Sequence, residues 1–226
     1  MPQGVEVQVL SWAPIEDRNR KAASQTRPFC HWYTGPMLYT GKGDGGTTKT
    51  FDAAPGVRIS KASELPEALG TLDELNSFVG LAKVKAANGT DPKVPLGKRM
   101  RTTSSILADI QETLFIVQAE VAGAPKKVGK AKVTQIELII NTIEQLMPPI
   151  TTFTVAGGTE LSATLDVTRT LARRAERRAV GVMESGLRKV SPNTKAYLNR
   201  LSSLLFALAR FANESAGITR QAPKYK

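Results

Sequence analysis

The sequence contains very little thiol or imidazole chemistry, since its 226 residues include one cysteine, Cys30, and one histidine, His31. A single cysteine excludes an intramolecular disulfide and leaves no thiolate cluster for zinc or iron. The adjacent Cys-His pair supplies fewer ligands than a zinc site needs. The sequence therefore predicts no metal site built from protein ligands.

Long apolar runs are also absent. No segment approaches the roughly 20 apolar residues that a membrane-spanning helix requires, and the first residues lack the apolar core of a secretory signal. We interpret the protein as cytoplasmic, or mitochondrial if its source is eukaryotic and its first residues are a leader.

Residues 1–36 are mixed in charge, contain four prolines and show no periodicity. They predict an irregular extension, with the folded domain at residues 37–226.

What the sequence does contain is helical periodicity. Apolar residues recur at spacings of three and four in five segments, which is typical of one buried face of a helix. The Ser191-Pro192 pair predicts the N-terminus of the fifth helix, because serine caps helices and proline suits their first position. These patterns predict an all-α bundle of five helices. The apolar stripes run from Leu65 to Ala82, Ile106 to Val121, Val133 to Leu146, Leu161 to Val182 and Tyr197 to Phe211.

Basic residues exceed acidic ones, and 31 Lys and Arg against 20 Asp and Glu give a net charge of +11. Five of the arginines lie within ten residues of the fourth predicted helix. Arg169, Arg173 and Arg177 share one side of that helix, and Arg174 and Arg178 form a second, adjacent row. Clustered arginines repel one another, so we expect an acidic partner or a polyanion nearby.

A loop rich in Gly, Thr and Lys precedes the first helix, in the segment LYTGKGDGGTTKTF. Gly41 and Gly46 have the glycine spacing of a Walker A loop, but Thr47 stands where the lysine must be, and no βαβ unit follows. A P-loop kinase or ATPase is therefore excluded. Backbone N–H groups, threonine hydroxyls and Lys42 still suit a triphosphate, although a flexible turn is an equal alternative.

Four segments in order and spacing carry a resemblance to a known family. They are YTGKGDGGTT (39–48), EALGTLDELNSFVG (67–80), FTVAGGTELSATLDVTRTLARRAERRAV (153–180) and LNRLSSLLFALAR (198–210). Together they resemble the PduO-type ATP:cob(I)alamin adenosyltransferases. The resemblance implies a ferritin-like five-helix bundle that forms homotrimers and binds ATP with Mg²⁺. The implied reaction moves the 5′-deoxyadenosyl group of ATP to cob(I)alamin and releases triphosphate. The resemblance implies no membrane partner and no nucleic-acid partner.

The resemblance also implies residue roles. The implied triphosphate loop is Thr40, Gly41, Lys42, Gly43, Asp44, Thr47 and Thr48. The further implied nucleotide contacts are Lys61, Arg173, Arg174, Glu176, Arg177 and Asn199. Asp73 is implied to pair with Arg169 of a neighbouring subunit, and these two residues with Arg173 and Glu176 form the implied catalytic set. Phe153 and Phe206 are implied to line the corrinoid and to displace its lower ligand.

The sequence departs from the family pattern at four positions. Lys42 replaces a hydroxyl residue, Ser203 replaces an aspartate, Ala156 stands where proline is common, and Asp166 stands where histidine is common. Two other interpretations stay open. One is a basic helical protein that binds nucleic acid, and the other is a nucleotide-dependent transferase with a different acceptor.

Overall fold

The structure is a computed structural model, and it describes residues 39–225. The predicted extension at residues 1–36, with Cys30 and His31, lies outside the described residues. The chain divides into two units between Ser63 and Glu64. The described part of the first unit is a short hairpin-like segment, and the second unit contains all five helices.

In the first unit, two short strands pair antiparallel. They are β1 (Thr47–Thr48) and β2 (Ile59–Ser60), with Thr47 opposite Ser60 and Thr48 opposite Ile59. The Gly-rich loop leads directly into β1, and Lys61 follows β2. Both strands lie between the Gly-rich loop and α1 along the chain.

The second unit confirms the prediction of an all-α fold with five helices. They are α1 (Glu64–Ala87), α2 (Thr103–Val121), α3 (Lys130–Gln145), α4 (Glu160–Glu184) and α5 (Pro192–Glu214). A hairpin that the periodicity did not predict, β3 (Lys93–Leu96) with β4 (Arg99–Thr102), joins α1 to α2. The two-residue turn of this hairpin begins at Gly97, whose φ of 62° suits glycine.

Neighbouring helices pack in the order α2, α1, α4, α5 and α3, so α4 lies between α1 and α5. The predicted apolar stripes form most of the core, and the leucines of α5 are almost fully buried at Leu201, Leu204, Leu205 and Leu208. The prediction was wrong for Leu146, the end of the third stripe, because α3 ends at Gln145 and Leu146 is exposed. Each buried leucine of α5 contributes about 1.5 to 3 kcal/mol relative to an exposed position. This core fixes the rotation of α4 and α5, and therefore which of their polar side chains face outward.

Local capping sets where the helices begin. Thr102, Thr159 and Ser191 are extended residues whose side chains accept the N–H of the residue three positions later. Pro192 occupies the first turn of α5, which confirms the predicted start of that helix. The position of Thr159 matters for the site, because it ends the loop that carries Phe153.

Candidate active site

The Gly-rich loop is built from two consecutive turns. Gly41 O accepts the N–H of Asp44 at 3.1 Å, and Gly43 O accepts the N–H of Gly46 at 3.0 Å. Gly46 O in turn accepts the N–H of Lys61 at 2.9 Å, which fixes the start of the segment after β2 against the loop. A side-chain carbon added at Gly43 would lie 2.8 Å from Lys61 Nζ. The structure thus brings Lys61 to the predicted triphosphate loop, with its ammonium over Gly43.

Thr47, at the start of β1, is held by an arginine that the sequence analysis did not select. Arg58 Nε donates to Thr47 Oγ1, and Arg58 Nη2 donates to Thr47 O, both at 2.9 Å. The guanidinium fixes the hydroxyl as an acceptor, so its own proton remains available to another acceptor. Arg58 also adds positive charge beside the loop. No motif marked Arg58, because its contact depends on the pairing of β1 with β2.

On α4 the two arginine rows have different surroundings. Arg174 pairs with Glu74, and Arg178 Nε lies 3.4 Å from Glu67 Oε1, so the second row contacts the carboxylates of α1. The expectation of a nearby acidic partner is confirmed for this row. Arg173 and Arg177 of the first row are exposed, and no carboxylate between residues 39 and 225 lies within 4.0 Å of either guanidinium. Arg173 and Arg177 therefore form an exposed cationic surface.

Two further predicted nucleotide residues meet across helices. Asn199 Nδ2 of α5 donates to Glu176 Oε1 of α4 at 3.0 Å. Asn199 Oδ1 accepts from Arg200 Nη1 at 2.7 Å, and Arg200 Nε also donates to Glu137 of α3 at 3.2 Å. This chain of contacts orients the exposed amide of Asn199 and the half-buried carboxylate of Glu176.

Asp73 and Arg169 are not paired within this chain. Asp73 is exposed on α1, whereas Arg169 Nε lies 3.8 Å from Asp166 Oδ1, one turn earlier on α4. Arg169 Nε is buried and has no hydrogen-bond partner among the described residues. The predicted pairing of Asp73 with Arg169 of another subunit stays a prediction.

Phe153 lies in the loop between α3 and α4 and is 81% exposed. Gly157 and Gly158 follow it with φ of 111° and 116°, a conformation that side chains rarely adopt. Buried Asn213 of α5 holds this turn, because its Oδ1 accepts the N–H of Thr159 at 2.9 Å and its Nδ2 donates to Gly157 O at 2.7 Å. Asn213 thereby fixes the turn that follows the exposed Phe153. Asn213 is a second residue that the sequence analysis missed.

Phe206 is half-buried on α5, and the guanidinium carbon of Arg220 lies 5.9 Å from the centroid of its ring. The family resemblance implied that this phenylalanine lines the corrinoid. Arg220, from the segment after α5, contacts one side of the ring by a cation–π interaction.

No group of three or more His, Cys, Asp or Glu side chains between residues 39 and 225 is arranged to hold a metal ion. Within the loop, the Asp44 carboxylate faces Gly41, since a side-chain carbon added there would lie 3.6 Å from Asp44 Oδ2. One carboxylate and several hydroxyls suit a Mg²⁺ ion that arrives with the phosphates of its nucleotide, because Mg²⁺ in such sites keeps few protein ligands.

Comparison with known proteins places these features in one family. The sequence profile of the family described as cobalamin adenosyltransferase matches residues 38–212, which include the Gly-rich loop, α1, α4 and most of α5. The chain belongs to the cobalamin adenosyltransferase family. The family resemblance predicted from the four sequence segments is therefore confirmed.

Relatives in this family come from animals and bacteria. The corrinoid adenosyltransferase MMAB of Bos taurus is 32% identical over 206 residues, which cover 90% of this chain and 80% of the relative. A corrinoid adenosyltransferase of Bacillus subtilis is 35% identical over 181 residues, which cover 80% of this chain and 89% of the relative. PduO of Citrobacter freundii is 37% identical over 187 residues, but that match spans only 50% of the relative.

Solved structures of the family share the fold. A variant of the PduO-type ATP:corrinoid adenosyltransferase from Lactobacillus reuteri, complexed with cobalamin and ATP, matches with a TM-score of 0.71 and 28% identity, covering 83% of this chain and 99% of that one. Another variant of the same enzyme, complexed with ATP, matches with a TM-score of 0.69 and 28% identity, over 83% and 100% of the two chains.

Proposed function

We propose that this chain is an ATP:corrinoid adenosyltransferase, which transfers the 5′-deoxyadenosyl group of ATP to cob(I)alamin and releases triphosphate. The observation that carries the proposal is the family match across residues 38–212. The loop that holds Lys61 over Gly43 and the exposed Arg173 and Arg177 support it, because both features offer positive charge to a triphosphate.

The reaction itself requires no catalytic base from the protein. The cobalt of cob(I)alamin supplies the electron pair that forms the cobalt–carbon bond at C5′, while the C5′–oxygen bond breaks and its electrons leave with triphosphate. The protein must therefore position ATP and stabilise charge on the leaving group. We assign that charge stabilisation to Lys42, Lys61, Arg173 and Arg177, with a Mg²⁺ ion carried by the phosphates.

The corrinoid is assigned to the end of the bundle that carries Phe153. An aromatic ring that is 81% exposed costs solvation free energy in the free protein, so a flat apolar ligand is its natural partner. We propose that Phe153 and Phe206 contact the corrin and exclude its lower axial ligand. A homotrimer, with Asp73 and Arg169 in contact between subunits, completes the proposal.

The proposal also covers domain limits and compartment. Residues 37–226 form the catalytic domain, and residues 1–36 are an extension that catalysis does not require. No helix in the described part of the chain is both long and apolar enough to cross a bilayer. We propose a cytoplasmic location, or a mitochondrial one if the source is eukaryotic.

The deciding experiment combines the protein, ATP and cobalamin under strong reductant in the dark. The visible spectrum should change from cob(I)alamin to adenosylcobalamin, and triphosphate should appear in equal amount by ³¹P NMR. Reactions without protein and reactions with ADP are the controls. If cob(I)alamin persists while ATP binds, the acceptor is a different molecule, which is the alternative transferase interpretation.

Nucleic-acid binding is the second candidate function, and the exposed Arg173 and Arg177 together with the +11 charge favour it. It predicts binding to duplex or single strands with an affinity that falls steeply as salt is raised. The logarithm of the binding constant should fall with the logarithm of the salt concentration, with a slope of about one for each phosphate contact. The pairing of Arg174 and Arg178 with Glu74 and Glu67 leaves fewer cations for such a surface. Fluorescence anisotropy with labelled DNA and RNA between low and physiological salt tests it.

A further inference from the structure

The segment after α5, residues 215–225, lies against the loop that carries Phe153. The chain reverses after Glu214, where the N–H of Ile218 donates to Asn213 O at 2.9 Å. Farther along, Gln221 O accepts the N–H of Val155 at 2.8 Å, two residues after Phe153. We call residues 215–225 the C-terminal segment. Its backbone is bonded directly to the Phe153 loop.

Arg220 anchors this segment to the bundle. Its side chain is only 8% exposed, and Nη2 donates to Ser162 Oγ at 2.7 Å and to Asp166 Oδ2 at 2.8 Å. The same guanidinium lies over the ring of Phe206. A buried arginine is strongly unfavourable unless it is paired and hydrogen-bonded, so this arrangement holds the segment in one place.

Asp166 is the common partner of the surrounding groups. Its side chain is 5% exposed, and it accepts the N–H of Gly157 at 3.1 Å as well as the Arg220 bond. Arg169 lies 3.8 Å from its other oxygen. One carboxylate thereby joins the Phe153 loop, the C-terminal segment and Arg169. Histidine, which the family resemblance led us to expect at this position, would not offer a carboxylate to two arginines.

The polar atoms of this cluster are not all satisfied. Nε of Arg220 and Nε of Arg169 are both buried without a hydrogen-bond partner in residues 39–225. Two arginines around one aspartate also leave one positive charge in excess. The unpartnered Nε groups and the excess charge lower the stability of the folded protein. Unfavourable arrangements of this kind are often found where a site is preorganised for a ligand.

We propose that Arg220 is a positioning residue for the corrinoid, and this inference rests on the proposed function. Through Asp166 it fixes the Phe153 loop, and through its guanidinium plane it fixes the ring of Phe206. Both aromatic rings are then held in place before the corrinoid arrives. Arg220 contacts none of the residues assigned to ATP, so it acts on corrinoid binding and not on nucleotide binding.

The test compares Arg220→Ala with Arg220→Lys and with a matched control, Arg101→Ala. Arg101 also forms an ion pair at 2.8 Å, with Asp109, and it hydrogen-bonds Ser105, but it lies on β4 and has no assigned role in the site. Four quantities are measured for each full-length variant: the melting temperature, the KM for ATP, the KM for cobalamin, and the hydrogen exchange of the Val155 amide.

Arg220→Ala should raise the KM for cobalamin by about tenfold to a hundredfold, the range that a misplaced binding group produces, while the KM for ATP changes by less than about twofold. The Val155 amide should exchange faster, because the C-terminal segment that carries Gln221 is released. Arg220→Lys keeps a donor for Ser162 and Asp166, so it should restore Val155 protection and most of the cobalamin affinity. Arg101→Ala should leave both KM values unchanged.

Three outcomes would overturn the inference. One is an Arg220→Ala protein with unchanged KM for cobalamin and unchanged Val155 exchange. Another is a lower KM for cobalamin, which would mean that the segment covers the site. The third is an equal rise of both KM values in Arg220→Ala and Arg101→Ala, which would indicate general destabilisation. If Arg220→Ala does not fold, Arg220→Lys and Asp166→Asn are compared in the same way.

Failure of the proposed function is distinguishable from failure of this inference. A wild-type protein that makes no adenosylcobalamin contradicts the function, whatever Arg220 does. An active wild-type protein whose Arg220 variants bind cobalamin normally contradicts only the positioning role.

Discussion

Gly43 shows how a single missing side chain creates room for a cation. Its Cα lies beneath Lys61, and an added methyl group would be 2.8 Å from Nζ, so Gly43→Ala must displace the ammonium. The displaced atom is the end of a flexible side chain, and the φ of Gly43 is not positive, so stability should change by less than about 1 kcal/mol. We expect a higher KM for ATP, with the KM for cobalamin unaltered.

Gly45→Ala is the matched control for this prediction. Gly45 belongs to the same loop, also lacks a positive φ, and has no atom within 4 Å of an added methyl group. Steady-state kinetics of the two alanine variants should therefore differ. Equal effects on the KM for ATP would mean that the position of Lys61 is unimportant, and that the loop backbone alone matters.

Phe153 permits an equally direct test at the level of one residue. A buried phenylalanine replaced by alanine costs about 3 to 5 kcal/mol, but a side chain that is 81% exposed has little such packing to lose. Phe153→Ala should therefore keep its melting temperature and its KM for ATP. Turnover with cobalamin should fall strongly, because the lower axial ligand is no longer excluded.

Cobinamide, which lacks the lower ligand's base, separates exclusion of that ligand from simple contact with the corrin. Phe153→Ala should lose much less activity with cobinamide than with cobalamin. A variant that loses both activities equally would show that Phe153 contacts the corrin without displacing a ligand.

At the scale of an element, α4 carries two arginine rows that the bundle treats differently. Arg173 is exposed without a carboxylate partner among residues 39–225, whereas Arg174 pairs with Glu74 of α1. Arg173→Ala should cost about 2 to 4 kcal/mol of transition-state stabilisation, the scale of a lost donor to a developing anion. This loss is read from kcat/KM for ATP at saturating cobalamin.

Arg174→Ala, a substitution at the next residue of α4, is the control for Arg173→Ala. The Arg174–Glu74 pair is about half exposed on both sides, and such pairs contribute about 0 to 1 kcal/mol to stability. We expect a smaller kinetic loss than for Arg173, because Glu74 already neutralises this guanidinium. Equal losses would instead support the sequence-based assignment of Arg174 to the nucleotide.

At the scale of the whole molecule, the prediction concerns assembly. Asp73 and Arg169 do not pair within the chain, so a contact between them requires a second copy. If the proposed homotrimer forms, Asp73→Arg and Arg169→Asp should each weaken it in sedimentation velocity, and the double variant should recover part of the loss. Recovery will be incomplete, because an aspartate at position 169 also faces Asp166. Additive losses in the cycle would mean that the two residues do not meet.

The neutral pair Asp73→Asn and Arg169→Gln controls for that local repulsion. These substitutions remove the charges without placing two carboxylates beside each other. A coupling that appears in both cycles belongs to the interface, and one that appears only with Arg169→Asp belongs to Asp166.

The sequence by itself determined the five helices and the family of this protein. Helical periodicity, the capping by Ser191 and the proline that follows are local signals, because they depend on residues at most a few positions apart. The same locality explains what the periodicity missed. The β1–β2 pairing involves two residues on each strand and the β3–β4 pairing involves four, so neither offered enough alternation to predict a strand.

Only the tertiary structure decided how the site is supported. Arg58 holds Thr47, Asn213 holds the glycine turn, and Arg220 reaches Asp166 over a separation of 54 residues. Nothing in the neighbourhood of these polar residues distinguishes them from solvent-exposed ones. The contact of Arg58 depends on the pairing of β1 with β2. The partners of Asn213 and Arg220 depend on the packing of α4 against α5 and on the return of the chain after α5. Long-range contacts of this kind depend on the whole fold, whereas the free energy of a helix turn or a cap is fixed by adjacent residues.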